Sequence, residues 1–349
     1  MDQKHQDIAF PRKTKRGRRA DLILIGLGVV LVVLGVLSFL VGRYPISPDK
    51  VIGMLFGNVF PIQPFWSNQE AIIFFNVRLP RIVLAMLVGC CLSAAGAAYQ
   101  GTFQNPLVSP DILGASQGAA LGAAVAILLG FTSFGVSALA FVLAIGTVLL
   151  VVLVSQAARG NQVLTVVLAG VMVSSLAAAG VSFAKLVADP ADQLPAITYW
   201  LMGSLTSASL ADIKMVIVPM VAGSVVLFVL RWRINILTMG DEEASTMGVN
   251  TKRLRLIIIL AATLITAASV AVTGIIGWVG LVIPHLSRML IGSDYRKLMP
   301  ASMLMGASFL LLVDDFSRLL TTAEIPIGIL TAFVGAPFFL YLITKQGRR

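Results

Sequence analysis

Few residues in this chain could do chemistry. The histidines are His5 and His285, far apart in sequence, and the cysteines are the adjacent pair Cys90 and Cys91 inside an apolar run. Cysteines so placed read as small buried hydrophobes, not as a disulfide or a metal site. A metal centre needs several N, S or O ligands converging on one point. No spacing here supplies them, so no metal is expected. His285 lies between Pro284 and Arg288 with no second ligand in reach, which predicts a hydrogen-bonded packing role. The phosphate-cradling pattern G-x-x-x-x-G-K-[ST] is absent, as are H-E-x-x-H and G-x-S-x-G. The chain itself is therefore expected to bind no cofactor, to hydrolyse no ATP and to be no enzyme.

What remains is charge and its placement. The 349 residues carry 26 Lys and Arg against 16 Asp and Glu, a net charge of +10, while 58% are hydrophobic and only 12% charged. That is too little polar surface for a water-soluble domain, so a bilayer must be the solvent for most of the chain. A basic excess raises the question of nucleic acid. Here, however, six of the eight residues from Arg12 to Arg19 are basic and the apolar run Leu22 to Val41 follows almost at once. This is the flank of a first permanent span under the positive-inside rule, and no nucleic-acid partner is expected. Residues 1–20 read as a basic cytoplasmic tail and residues 21–349 as one transmembrane domain.

Crossing the hydrocarbon takes roughly 20 apolar residues per helix. Apolar runs and their breakers predict an all-α polytopic protein of about ten spans, over 22–41, 80–100, 113–130, 135–155, 163–186, 213–230, 255–276, 279–291, 299–319 and 327–344. The eighth is short, begins after Gly277 and contains Pro284, so either a break or partial burial within the protein is expected. With the N-terminus inside, 19 of the 26 basic residues fall on the inner face, which predicts cytoplasmic N- and C-termini. Of the outer segments, 187–212 should carry a surface helix around Tyr199 and Trp200, with that pair at headgroup depth. At an offset of 174 residues, Arg78 and Arg81 align with Lys252 and Arg255, and Leu107-Val108-x-Pro110 with Leu281-Val282-x-Pro284, a candidate inverted repeat.

Small residues mark the expected packing faces. Gly114, Gly118 and Gly122 form two overlapping G-x-x-x-G steps on the third span, and Ser93, Ala97 and Gly101 serve the second. The segment Gln100 to Gly114 reads as a capped turn, with Asp111 able to cap the next helix. Residues 238–249 predict a short helix capped by Asp241, stopped by Gly248, and stabilised by Glu242 and Glu243 at its positive end. Arg78 and Arg81 at the outer start of the second span could snorkel to the headgroups, and Arg318 could pair with Asp314 one turn earlier.

Taken in order, Arg78-Leu-Pro-Arg81, Gln104-Asn-Pro-Leu-Val-Ser-Pro110, Leu113-Gly114, Gly118-Ala119, Gly280-Leu-Val-Ile-Pro-His285, Glu324-Ile-Pro-Ile-Gly328 and Gly335-Ala-Pro337 closely resemble the FecCD family. These are the iron-siderophore and cobalamin permeases of type II ABC importers, and the resemblance runs from about Arg78 to Lys345. It implies a cobalamin-permease-like bundle in a prokaryotic cell membrane, paired with a second permease as a homodimer or heterodimer. It further implies two cytoplasmic ATPases that bind ATP and Mg, and an extracytoplasmic substrate-binding protein. Arg78, Arg81 and Arg318 would then receive acidic residues of that protein. The stretch Asp241, Glu242, Glu243, Ala244, Ser245, Thr246, Met247 and Gly248 would be the helix that couples to the ATPase.

The implied cargo is a metal chelate, with ferric siderophore ahead of cobalamin or haem and an oxyanion such as molybdate as another outcome. The competing reading is a secondary transporter in which Asp314, Asp315, Arg318 and Glu324 form an ion-coupling cluster. Those charges fall at a span end, however, and coupling sites are expected at the midplane.

Overall fold

The computed structural model describes residues 15–57, 60, 63–157, 162–321 and 323–346. Most of the basic tail, Arg159 and the last three residues lie outside these. Among the described residues there are fourteen α-helices and no strand. The first helix, α1 (Lys15–Leu40), is followed by two short ones, α2 (Pro48–Phe56) and α3 (Asn68–Ile73). A π-helical turn, Phe74–Arg78, leads into α4 (Leu79–Thr102), and a 3-10 turn, Pro110–Leu113, precedes α5 (Ala115–Leu128). Then come α6 (Ser133–Ala157), α7 (Gln162–Val187), α8 (Gln193–Met202), α9 (Leu210–Leu237), α10 (Asp241–Thr246) and α11 (Thr251–Thr273). The chain ends with α12 (Val279–Ile291), α13 (Tyr295–Leu319) and α14 (Ile327–Gln346).

Each expected span falls on one of these helices. Seven helical stretches are long and apolar enough to cross a bilayer, while α5, α12 and α14 are shorter apolar helices. α8 is the expected helix around Tyr199 and Trp200. One boundary differs from expectation. The third span shrinks to 14 residues, about 21 Å of helix, because a separate 3-10 turn occupies its first residues. Of the two alternatives for the eighth, burial holds and a break at Pro284 does not: Pro284 is buried inside a continuous α12. The break precedes it, at residues 274–278, which are non-helical and bounded by Gly274 (φ 69°) and Trp278 (φ 70°).

The helices sort into a core and a periphery. In the membrane-crossing windows of α4, α11 and α13, 78%, 72% and 67% of residues are buried, whereas the figure for α1 is 11%. α4 is the hub, packing against α13, α11, α12, α9 and α1. In a bilayer there is no hydrophobic drive between helices, so close van der Waals approach must supply it. Gly96 of α4 lies so close to Gly280 of α12 that a Cβ on it would overlap the Gly280 carbonyl group, and Gly89 meets Gly306 of α13 in the same way. Caps set the helix starts: Ser209 and Asp212 form a reciprocal box on α9, and Asn250 accepts from the Arg253 backbone N–H on α11. At the far end, α8 closes onto the non-helical 274–278 stretch and the start of α14, with Ser204 N–H donating to the Thr273 carbonyl at 2.7 Å.

The candidate repeat acquires a structural counterpart in its two aligned arginines. Arg81 enters α4 at one face and Arg255 enters α11 at the opposite face, and each is buried against a carboxylate from a neighbouring segment.

Gly96→Val should overpack the α4–α12 contact and cost about 1–3 kcal/mol, read as a lowered thermal midpoint of the purified permease in detergent. Gly35→Ala, on α1 where no atom lies within 4 Å of the added Cβ, should leave that midpoint unchanged. Equal losses at both positions would contradict the packing argument.

Candidate functional sites at the two ends of the bundle

The acidic residues at the end of α13 and in the loop after it face the arginines at the start of α4. Arg81 Nε donates to Asp314 Oδ1 at 2.9 Å and its Nη1 to Glu324 Oε2 at 2.7 Å. Arg318 pairs with the same Asp314 at 3.2 Å, as its i, i+4 spacing suggests, and also with Asp315. Asp315 in turn accepts from the Ser38 hydroxyl of α1. Arg78 donates to the carbonyls of Phe39 and Tyr44, and Arg318 Nη1 to that of Val41 at 3.1 Å. The last carbonyls of a helix have no intrahelical partner and carry its negative dipole end. These two guanidiniums therefore cap α1 and tie it to α4 and α13.

All three expected docking residues lie at this end, but not as an open patch. Arg78, Arg81 and Arg318 are only 4%, 4% and 7% exposed. They line a cavity of about 210 Å³ together with Arg43, Tyr44 and Glu324. Arg81 Nη2 has no hydrogen-bond partner among the described residues. Four guanidiniums surround three carboxylates here, so the cavity keeps a basic surplus and an unused donor. Neither snorkelling nor a surface ion pair describes it.

At the opposite face the short helix appears as expected, with one correction. Its N-cap is Gly240, at a positive φ of 120° that favours glycine, and Asp241 is the first helical residue. The Asp241 side chain does not cap; it accepts from Arg255 Nη2 of α11 at 2.8 Å. The end is as predicted. Gly248 adopts φ 77°, its N–H donates to the Ser245 carbonyl, and the Val249 N–H donates to that of Ala244, a Schellman motif. Only Ala244 is buried; Glu242, Glu243, Ser245, Thr246 and Met247 are all exposed. The helix thus presents an acidic and polar face outward while one arginine holds it to the core.

The expected packing glycines separate. Gly118 and Gly122 of α5 do press on α6, where an added Cβ would meet the carbonyls of Leu143 and Leu139. Gly114 does not belong to that stripe. It sits at φ 81° between the 3-10 turn and α5, against Ser174. Asp111 bonds the Ser116 hydroxyl and leaves the α5 cap to backbone alone. Its burial pushes its carboxyl above the usual carboxylate range, against the bond from Ser116. His285 Nδ1 has no hydrogen-bond partner among the described residues, so the expected bond is missing on that nitrogen. Cys90 and Cys91 are free thiols.

One network was not anticipated from the sequence. Arg288 donates to Gln100 Oε1 at 3.0 Å and Gln100 to the Leu281 carbonyl at 3.2 Å, while Gln104 donates to the Leu237 carbonyl at 2.7 Å. Gln100 in the last turn of α4 thereby ties it to α12, and Gln104 just after it ties the turn to the end of α9. Their four-residue spacing and the missing apolar partner were the available signal.

Residues 30–345 match the FecCD transport family. The match reaches back into α1, well before Arg78. The chain is 40% identical over 326 residues to the molybdate import system permease MolB of Haemophilus influenzae, covering 93% of this chain and 96% of that one. It is 41% identical over 287 residues to a Helicobacter pylori protein named as an iron chelatin transport system permease, covering 80% and 86%. A solved structure reported as an inward-facing ABC transporter of metal-chelate type superimposes with a TM-score of 0.83 at 40% identity, covering 93% of this chain and 99% of its own. The chain belongs to the FecCD transport family and is a multi-pass permease of the ABC importer kind.

Proposed function

We propose that this permease imports a metal chelate, with ferric siderophore the first choice, cobalamin or haem next, and molybdate the alternative cargo. The observation that carries the reading is the pairing of two chemically distinct ends: a basic cavity at one and an exposed, acidic, capped helix at the other. Relatives at similar identity are named for iron chelatin, ferric citrate, cobalamin, haemin and molybdate. Chelates outnumber the oxyanion among them. The secondary-transporter reading is disfavoured because Asp314, Asp315, Arg318 and Glu324 are engaged with one another and with Arg81 at a span end.

In this reading the face bearing α10 is cytoplasmic, as the distribution of basic residues favours, and both termini lie there. Two ATPases carry ATP and Mg and dock on the exposed face of α10. Because Asp241 is locked to Arg255, itself 2% exposed, a displacement of α10 is passed to α11 and so to the core around α4. An external binding protein docks at the other face. Its carboxylate enters the cavity past Arg43 and takes the free Nη2 of Arg81. A second permease, identical or homologous, completes the translocation path.

Three outcomes test these assignments. Proteoliposomes holding the assembled importer should take up radiolabelled iron presented as a ferric siderophore on the cognate binding protein; uptake of molybdate alone would move the cargo to the oxyanion class. Replacing Glu242–Met247 by a Gly/Ser linker should leave ATP hydrolysis by the assembled complex intact while uptake falls at least tenfold, and normal uptake would remove the coupling role. Arg43→Glu, at the exposed mouth of the cavity, should slow binding-protein association by roughly tenfold at low salt and less at high salt. An association rate unchanged at every salt concentration would place docking elsewhere.

A further inference from the structure

An open groove of about 400 Å³ runs along the side of the bundle between α6 and α9. Both helices pack on α11, which forms its floor, but they make no substantial contact with each other. Ile145 and Leu149 of α6, Ala222 and Val226 of α9, and Ile257 and Leu264 of α11 line it. Thr263, the one hydroxyl-bearing residue in the lining, is bonded to Tyr99 Oη at 3.0 Å and offers only its methyl. The depth is built in: Ala222 and Gly223 are the smallest residues α9 could place here, and a Cβ on Gly223 would stand 2.8 Å from the Ala261 carbonyl oxygen. From Ile257 to Leu264 the groove extends about 10 Å along α11, most of the roughly 15 Å of hydrocarbon in one leaflet. At that depth the available filler is lipid.

The basic end of the groove is in phase with its lining. Arg233 lies seven residues beyond Val226 on α9, and Arg253 four residues before Ile257 on α11. At 3.6 residues per turn each falls on the stripe that faces the groove. Gln156 repeats the relation on α6, seven residues beyond Leu149. All three are exposed, and neither arginine side chain has an ion pair or hydrogen bond among the described residues. Two uncompensated guanidiniums therefore stand where a chain leaving the groove would reach its headgroup.

We propose that this groove binds one anionic phospholipid, its acyl chain along α11 and its phosphate held by Arg233 and Arg253. Any phospholipid can fill apolar space; the unpaired cations select for negative charge. The site rests on the chain being embedded in a bilayer and not on the identity of the cargo, so its failure would leave the transport reading untouched.

The test uses the full-length permease in nanodiscs of phosphatidylcholine with a trace of phosphatidylglycerol carrying a photoreactive acyl chain. Peptides spanning residues 145–149, 222–226 and 257–264 should be labelled in excess of the outward face of α1. Unlabelled phosphatidylglycerol should compete, and phosphatidylcholine should not. Arg233→Gln and Arg253→Gln should each weaken that competition about five-fold, while the Lys variants retain most of it. Ala222→Phe, at an exposed position, should abolish the labelling with both arginines intact. Labelling no greater than on α1, equal competition by phosphatidylcholine, or indifference to both Gln variants would each overturn the proposal.

Discussion

The buried pair of Arg81 with Asp314 is the contact on which one whole end of the bundle depends. Two ions removed from water cost several kcal/mol each unless they meet in good geometry. Here they do so because α4 and α13 already approach at backbone distance through Gly89 and Gly306. Asp314 then serves Arg318 as well, Arg318 serves Asp315, and Asp315 takes Ser38. The result fixes α1, otherwise a peripheral helix, by its last turn. It also holds four guanidiniums in one place, which an apolar span end could not do without compensating acids.

The other end repeats the device more simply. Arg255 is buried at the start of α11 and holds α10 through Asp241, the one acid of that helix paired with it. Between the two ends lie α4, α11 and α13, the three most buried spans. Close glycine contacts make this core stiff, whereas 274–278, at the end of α11, is non-helical and includes a tryptophan at positive φ. From α10 the chain thus runs first into this close-packed core and last into irregular backbone. In a bilayer such backbone is tolerated only when buried in protein, and α8 with the start of α14 provide that cover.

Much of this was legible in the sequence. Run lengths and breakers located every span, and the spacing of Gly118 and Gly122, the acids after Gly240 and the pairing of Asp314 with Arg318 were all visible as local patterns. What was not legible is long-range. An arginine at a span start looks the same whether it snorkels or is buried, and the partners of Arg81 lie 233 and 243 residues away. Gly114 was drawn into the α5 stripe because a four-residue period cannot tell a helical glycine from one that ends a turn. Pro284 left both a break and burial in protein open; it is buried inside α12, and the break comes before it, at glycines and a tryptophan.

The central claim, that Arg81 and Arg318 are held by carboxylates of the chain itself, is tested most directly by a double-mutant cycle on Arg81 and Asp314. Unfolding of the purified permease should be measured for Arg81→Met, Asp314→Leu and the double variant. Each single change should cost about 1–3 kcal/mol, because Asp314 keeps Arg318 and Arg81 keeps Glu324, and the double variant should lose clearly less than the sum of the two. Losses that are small for each single change, or that simply add in the double variant, would contradict it.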